Sequence, residues 1–279
     1  MISIIICSRT KTISDRLFHN LDETIGCSYE LIIIDNSKNE YSIFEAYNKG
    51  LEESKSEIVC FIHDDINILT KNWGAILMDI FSKNKNIGLV GVAGSKSKTK
   101  MPSAWWDSYK ENLSMNIIQF FSDGKKTHWN EGFDYGDLQE VVAIDGVFMA
   151  AKKIESISFN TQLSGFHNYD MNLSLEYLKN EYSVMVTNKI LLEHFSIGAL
   201  DKSWCLSTLQ IHKLYKELLP LSKSDHLLSK NIEFNNGVKF VTKLLEFNIK
   251  KPAFFLWLRL FQIKPFSKFH FYFLQKIFK

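Results

Sequence analysis

Hydrophobic and polar positions follow two rhythms along the first hundred residues. Short, nearly continuous apolar runs cover residues 3–7, 30–35, 58–62 and 88–93. Runs of that length without alternation are the pattern of strands covered on both faces. Between them, residues 12–24, 42–54 and 71–83 place apolar side chains at the three- and four-residue spacing of amphipathic helices. This repetition of strand and helix predicts a mostly parallel sheet with helices on both faces.

The rhythm changes after Gly94. Residues 95–140 are polar and aromatic, with Trp105, Trp106 and Trp129, and a hairpin turn is predicted at Asp123-Gly124. A stretch this long inside a compact domain reads as a wall or lid over a site. Apolar strands resume over residues 141–151, broken by Asp145-Gly146, and close the pattern at 183–187 and 189–194. Residues 166–179 begin polar and become helical, with Tyr169, Leu173, Leu175 and Leu178 as apolar positions. Beyond Leu206 the chain reads as helical, then strongly aromatic and basic.

Composition changes this picture little. A chain of 279 residues accommodates one large α/β domain with an appendage. Cys7, Cys27, Cys60 and Cys205 form no CxxC pair and no zinc-like spacing, which points to a reducing, cytosolic compartment. The apolar start is too short to span a membrane and lacks the marks of a signal peptide. Charge matters more. The net charge is +2, yet residues 239–279 hold nine Lys or Arg against Glu246 alone. Such asymmetry marks a surface for anionic lipid or nucleic acid, and no nucleic-acid-binding motif accompanies it.

Candidate chemistry starts at Ile58-Val-Cys-Phe-Ile-His63-Asp64-Asp65. A buried strand ending this way delivers imidazole and carboxylate groups to the end of the sheet where open α/β folds bind ligands. Side chains alternate along a strand, so His63 and Asp65 are expected to point one way and Asp64 the other. Two potential metal ligands there suggest cation-assisted chemistry on an anionic substrate. Asp35 closes the second strand, and Asn36-Ser37 can turn the chain through side-chain hydrogen bonds. Asp170 opens a helix, where its charge also suits the helix dipole. His194 follows the last strand. Gly88, Gly91 and Gly94 do not have the dinucleotide spacing, and no GxxxxGK[ST] loop is present, so a bound nucleotide must be held by other means.

Taken in order, Ser3-Ile-Ile-Ile-Cys-Ser8, Leu31-Ile-Ile-Ile-Asp35-Asn36-Ser37, Ala46-Tyr-Asn48-Lys-Gly50, Phe61-Ile-His63-Asp64-Asp65, Val142-Ala-Ile-Asp145-Gly146, Tyr169-Asp170 and His194 resemble the glycosyltransferase family 2 class. The resemblance is closest to bacterial members that build capsule or lipopolysaccharide, and it covers about residues 1–205. It implies an α/β, Rossmann-like GT-A fold with a mostly parallel mixed sheet. A catalytic domain over residues 1–205 would divide into a nucleotide-binding half, 1–94, and an acceptor-binding half, 95–205, ahead of a helical extension over 206–279.

The implied activity is metal-dependent, inverting transfer of a hexose or similar sugar from a nucleotide sugar, a UDP-sugar foremost, to a glycan or lipid-linked acceptor. By resemblance Asp65 and His194 hold Mn²⁺ or Mg²⁺, while Ser8, Arg9, Thr10, Asp35, Asn36, Ser37, Asn48, His63 and Asp64 meet the nucleotide sugar. Asp170 is the implied general base, and Trp105, Trp106, Asp145 and Gly146 fall on the acceptor side. His63 stands where the family's DxD motif has its first Asp. The implied location is cytoplasmic; the tail lies outside the resemblance, and its aromatic and basic composition is that of a segment lying on the inner face of the membrane.

Blander readings compete at several of these positions. Asp35-Asn36-Ser37 forms a turn without any ligand, Asn48 and Gly50 belong to a helix surface and its end, and the tryptophans and tail aromatics serve as packing. Two other functions compete as a whole. A nucleotidyltransferase would need a basic, Gly-rich loop after the first strand. A non-catalytic binding protein would fit the loss of the first DxD carboxylate.

Overall fold

The structure, a computed structural model, describes residues 1–134, 136–224 and 229–278. The apolar runs and amphipathic stretches become β1 (Ile2–Ser8), α1 (Asp15–Thr24), β2 (Tyr29–Asp35), α2 (Ile43–Glu53) and β3 (Ile58–Ile62). There follow β4 (Ile66–Ile68), α3 (Trp73–Lys83), β5 (Ile87–Gly91), β6 (Ala93–Ser95) and β7 (Ser97–Lys98). The aromatic stretch holds β8 (Leu113–Phe120) and β9 (Lys126–Glu131), and after it come β10 (Leu138–Val141), β11 (Ala143–Ile144) and β12 (Phe148–Lys152). Then α4 (Tyr169–Lys179), β13 (Ser183–Thr187) and β14 (Leu192–His194) complete the sheets. The rest is α5 (Lys202–Leu214), β15 (Leu221–Ser222), α6 (Lys230–Glu246), α7 (Lys250–Ile263) and α8 (Phe269–Ile277).

The large sheet has the order β10-β13-β5-β12-β3-β1-β2. Strand β1 lies parallel to both β2 and β3, and β5 parallel to β13, while β12 and β10 run antiparallel. This is the expected mostly parallel mixed sheet flanked by helices. Its continuous apolar runs follow from burial on both faces: Ile2, Ile4, Ile5 and Ile6 of β1 are fully buried. Chain connections leave β1 in opposite directions, to β2 on one side and β3 beyond it on the other, which opens a crevice outside the strand ends.

Local chemistry sets the helices that frame that crevice. Ser14 accepts from the Leu17 N–H at the start of α1, and Ser42 with Glu45 forms a reciprocal capping box at the start of α2. Gly50 lies inside α2 and not at its end. A Cβ there would come within 2.3 Å of the Ile5 side chain, so the missing side chain lets α2 settle on β1.

A second sheet, ordered β11-β6-β8-β14-β4 with β9 on the other edge of β8, covers the ends of the first. The predicted hairpin joins β8 to β9, with Gly124 at φ 80°. The carboxyl-terminal helices build a separate apolar cluster: Phe240, Leu244, Leu256, Leu260 and Phe273 close over Met101, Ala104, Trp204 and Cys205. Helix α5 crosses position 205, where the resemblance ended the catalytic domain. Among the described residues no helix is long and apolar enough to cross a membrane.

Candidate active site

Three strand ends and one strand pairing assemble the site. The register of β1 on β2 sets Ser8 beside Asp35, and the Asn36 N–H donates to the Ser8 carbonyl at 2.9 Å. Beyond β3 the His63 N–H still donates to the Val147 carbonyl, so the turn 63–65 leaves the sheet under control. Antiparallel pairing of β4 with β14 sets His194 opposite Ile66, and the Phe195 N–H donates to the Asp65 carbonyl at 3.1 Å. His194 is thereby brought to Asp65 across more than a hundred residues of chain.

His63 Nδ1 lies 3.6 Å and His194 Nε2 3.7 Å from the same oxygen, Asp65 Oδ1. One ligand atom from each of the three side chains falls within 4.8 Å of the others. His63 and Asp65 converge as expected, whereas Asp64 lines the same cavity as both, because residues 63–65 lie past the end of the strand. Two imidazoles and a carboxylate are a donor set suited to a first-row divalent cation.

The surroundings favour that use. Gln119 Nε2 donates to the carbonyls of Phe120, His194 and Ser196, which leaves Oε1 to accept from His194 Nδ1 at 2.9 Å. His194 therefore carries its proton on Nδ1 and turns the Nε2 lone pair toward Asp65. Burial and the neighbouring His63 ring hold His194 below its ordinary pKa, in the neutral form that binds metals. Burial alone would raise Asp65, but hydrogen bonds from His63 and Ser196 outweigh it, so the carboxyl stays well below the usual range.

His63 is held from behind. Its Nε2 meets the Tyr169 hydroxyl at 2.5 Å, and because a phenol both donates and accepts, it satisfies either tautomer of the ring. Burial, then the nearby Tyr47, pushes the Tyr169 phenol well above its ordinary pKa and keeps it neutral. Gly146 makes room for this contact: a Cβ there would fall 2.3 Å from the Tyr169 hydroxyl oxygen. Gly146 also lines the recess that holds Asp170, Trp105 and Trp106, on the side expected to receive an acceptor.

Cavities meet at these residues. One of about 540 Å³ is lined by Cys7, Arg9, Asn36, Ser37, Asn39, Tyr47, Asp64 and Asp65. A second, of about 550 Å³, is walled by Trp105, Trp106, Met115, Ile117, Phe121, Trp129 and Leu200 and reaches His194 and Asp145. A smaller recess of about 230 Å³ holds Asp170 with Asp145, His63, His194, Trp105 and Trp106. Asp170 opens α4, where its Oδ1 accepts from the Met171 N–H at 2.7 Å. Burial in this recess, and next the adjacent Asp145 carboxylate, pushes its pKa up to about 7.

The remaining sequence-predicted residues divide. Arg9, Ser37 and Asp64 line the first cavity. Asn36 lines it too, but its amide is engaged with the Tyr41 backbone in both directions, so it shapes the turn. Ser8 and Thr10 hydrogen bond to each other at 3.1 Å and brace the loop whose Arg9 reaches the cavity. Asp35 is exposed, its Oδ1 accepting from the Ser37 N–H, which is the turn anticipated as the bland reading. Asn48 is likewise corrected: both ends of its amide grip the Phe159 backbone, at 2.8 and 2.9 Å, and tie α2 to the loop after β12.

Trp105 is buried and donates from Nε1 to Asp145 Oδ2 at 3.1 Å, whereas Trp106 is 43% exposed and meets Trp105 edge-on. Gln119 and Tyr169 escaped the sequence reading as site residues. Gln119 is the polar residue that ends the alternate apolar series Leu113, Met115, Ile117 of β8, which is the signal that marks it. Tyr169 read as one more apolar helix position.

A profile of the glycosyltransferase-like family matches residues 3–218. No curated protein matches the sequence. Among solved structures, GalNAc-T7 with UDP, GalNAc and Mn²⁺ is 10% identical over 76% of this chain and 47% of its own, at a TM-score of 0.47. S. aureus TarS in complex with UDP-GlcNAc is 9% identical over 88% of this chain and 66% of its own, at 0.45. A197 from STIV is 13% identical over 82% and 96%, at 0.38. The chain spans about half the length of the first of these.

Proposed function

The chain belongs to the glycosyltransferase-like family, and on that premise we propose that it is a metal-dependent, inverting glycosyltransferase. It moves a sugar from a nucleotide-sugar donor to a glycan or lipid-linked acceptor in the building of a cell-surface polysaccharide, capsule or lipopolysaccharide. The observation that carries this reading is the convergence of His63, Asp65 and His194 at the junction of a polar cavity and a tryptophan-lined one. On this reading the nucleotide half is residues 1–94, the acceptor half 95–205, and 206–279 an extension.

His63, Asp65 and His194 would hold Mn²⁺ or Mg²⁺, and the two imidazoles favour Mn²⁺. A divalent cation there offsets the negative charge that gathers on the departing diphosphate. Arg9, Ser37 and Asp64 line the space for the nucleotide sugar, and UDP is the nucleotide to test first. Asp170 takes the proton from the acceptor hydroxyl as the nucleotide leaves from the opposite face of the sugar. A single base is enough for this direct displacement. A carboxyl with a pKa near 7 is matched to that task, because it is substantially ionised at neutral pH and still a competent proton acceptor. The Trp105 and Trp106 wall orients the acceptor and keeps bulk water from competing with it.

The test is to incubate purified protein with a panel of sugar nucleotides and Mn²⁺ or Mg²⁺, with and without glycan acceptors. Transfer or donor hydrolysis is expected for one donor, and chelation should abolish it. Turnover that persists in both Asp65→Ala and Asp170→Asn overturns the assignment.

A further inference from the structure

Helices α7 and α8 leave large apolar side chains uncovered. On α7, Ala253, Leu256 and Leu260 are buried against the extension, while Phe254, Leu258 and Phe261 are exposed. Spacings of four and three residues put those exposed side chains on one face, turned away from the core. On α8, Phe273 stacks on Trp257 at 4.8 Å, and Phe271, Leu274 and Phe278 repeat the one-face pattern, with Phe271 74% and Phe278 83% exposed. The turn between the helices carries Phe266 at 102% exposure between Lys264 and Lys268. A soluble monomer does not ordinarily present aromatic rings in such number over so short a stretch.

Cations frame this apolar surface. Lys250 and Lys251 open α7, Arg259 lies within it, Lys264 and Lys268 flank Phe266, and Lys276 closes α8. Beside α7, Lys100, Lys230 and Arg259 also line a cavity of about 520 Å³. The one carboxylate there, Glu233, is occupied by the N–H groups of Lys100 and Met101.

We propose that α7, α8 and the Phe266 turn form a docking surface for an anionic lipid bilayer, with the aromatic rings at the depth of the headgroup–acyl boundary and the basic groups on lipid phosphates. Amphipathic helices with this division of residues lie in the bilayer interface, and each basic group near an anionic surface adds to the attraction. A second copy of the chain is the poorer occupant. Self-pairing of this face would set lysines against lysines, and Glu246 is the sole acidic residue from 239 to 279 to relieve them. The surface stands apart from the sugar-transfer site, so its test is independent of activity.

Full-length protein is sedimented with vesicles of phosphatidylcholine alone and with vesicles also containing phosphatidylglycerol. Sedimentation is expected with the anionic vesicles only, weakening as salt rises. Phe266→Asp and Phe271→Asp should each weaken it about tenfold, the effect of one aromatic withdrawn from an apolar phase. The pair Lys251→Glu with Lys268→Glu should remove the preference for anionic lipid. All these positions are exposed, and a thermal melt matching the parent shows that each variant folds. The proposal is overturned if anionic vesicles leave the protein in the supernatant, or if folded aspartate variants sediment as the parent does. It is equally overturned if the parent self-associates in the absence of lipid and these same substitutions disperse it.

Discussion

Two cavities of nearly equal volume, about 540 and 550 Å³, meet at one cluster, the first lined by His63 and Asp65 and the second by His194, and differ in almost everything else. The first is polar and lies at the ends of parallel strands, walled by Arg9, Asn36, Ser37 and Asp64. The second is apolar and lies over β8 and β9 of the smaller sheet, walled by three tryptophans with Met115, Ile117 and Phe121. A charged nucleotide suits the first, where hydrogen-bonding groups replace its hydration. A sugar acceptor suits the second, because the C–H faces of a pyranose pack on indole rings. The contrast implies that substitutions on one side should disturb one substrate and spare the other.

The sharpest break between the sides is expected at Asp170. Asp170→Asn should lower transfer by about 10²–10⁴-fold, the usual worth of a general base, with metal-dependent UDP binding unchanged by calorimetry. In the parent, kcat/KM should rise with pH through about 7 as this carboxyl ionises. Loss of UDP binding in the same variant would dissolve the distinction between the cavities.

Gln119→Leu tests the shared edge. It removes the acceptor that orients His194, and loss of such a partner costs about 10–100-fold in metal affinity. Titration with Mn²⁺ followed by electron paramagnetic resonance reads this directly. An unchanged affinity would mean that His194 is not a ligand.

Tyr169→Phe and Trp106→Ala should act more gently and on opposite sides. Loss of the phenol removes one hydrogen bond to His63, about 1 kcal/mol or some fivefold in metal-dependent donor affinity. Trp106→Ala should raise the acceptor KM several-fold, in line with about 0.5–1.5 kcal/mol for an aromatic contact, and leave the donor KM alone. A matching rise in both constants would argue for one continuous site.

The smallest effect is on stability. Asp170 has its folded pKa raised above the unfolded carboxyl value, so folding favours the protonated form. Parental stability should therefore fall as pH rises from about 4 to about 7. The Asn variant does not titrate there. It should gain relative stability across that window, on the order of 1 kcal/mol above pH 7 once partial exposure is discounted, as measured by denaturant melts at both ends.

The large sheet was legible in the sequence, since the run 58–62 and the helical stretch 42–54 fall where the structure has β3 and α2. Of the candidate site, His63, Asp65, Asp170 and His194 were singled out from the sequence, and the structure brings them together. The losses were polar side chains that the fold turns inward on itself. Asn48, Ser8 and Thr10 satisfy backbone or one another, and nothing in their neighbours along the chain distinguishes that from binding a ligand. Asp35 failed differently, because a carboxylate that caps its own turn occupies the same strand end as one that meets a ribose.

By itself the sequence determined the elements, their α/β order, the strand end that presents His63 and Asp65 and the helix start that carries Asp170, because hydrophobic periodicity and capping act between residues a few positions apart. Tertiary structure alone decided which groups meet. The register of β14 against β4 and β8 sets His194 beside Asp65 and Gln119, and the packing of α4 against Gly146 sets Tyr169 on His63. Packing of the last helices likewise decided which aromatics of the tail are core and which face outward. Those outcomes depend on closing loops of tens of residues to more than a hundred, and a hydrogen bond or an indole contact between such distant positions leaves no periodic trace in the order of residues.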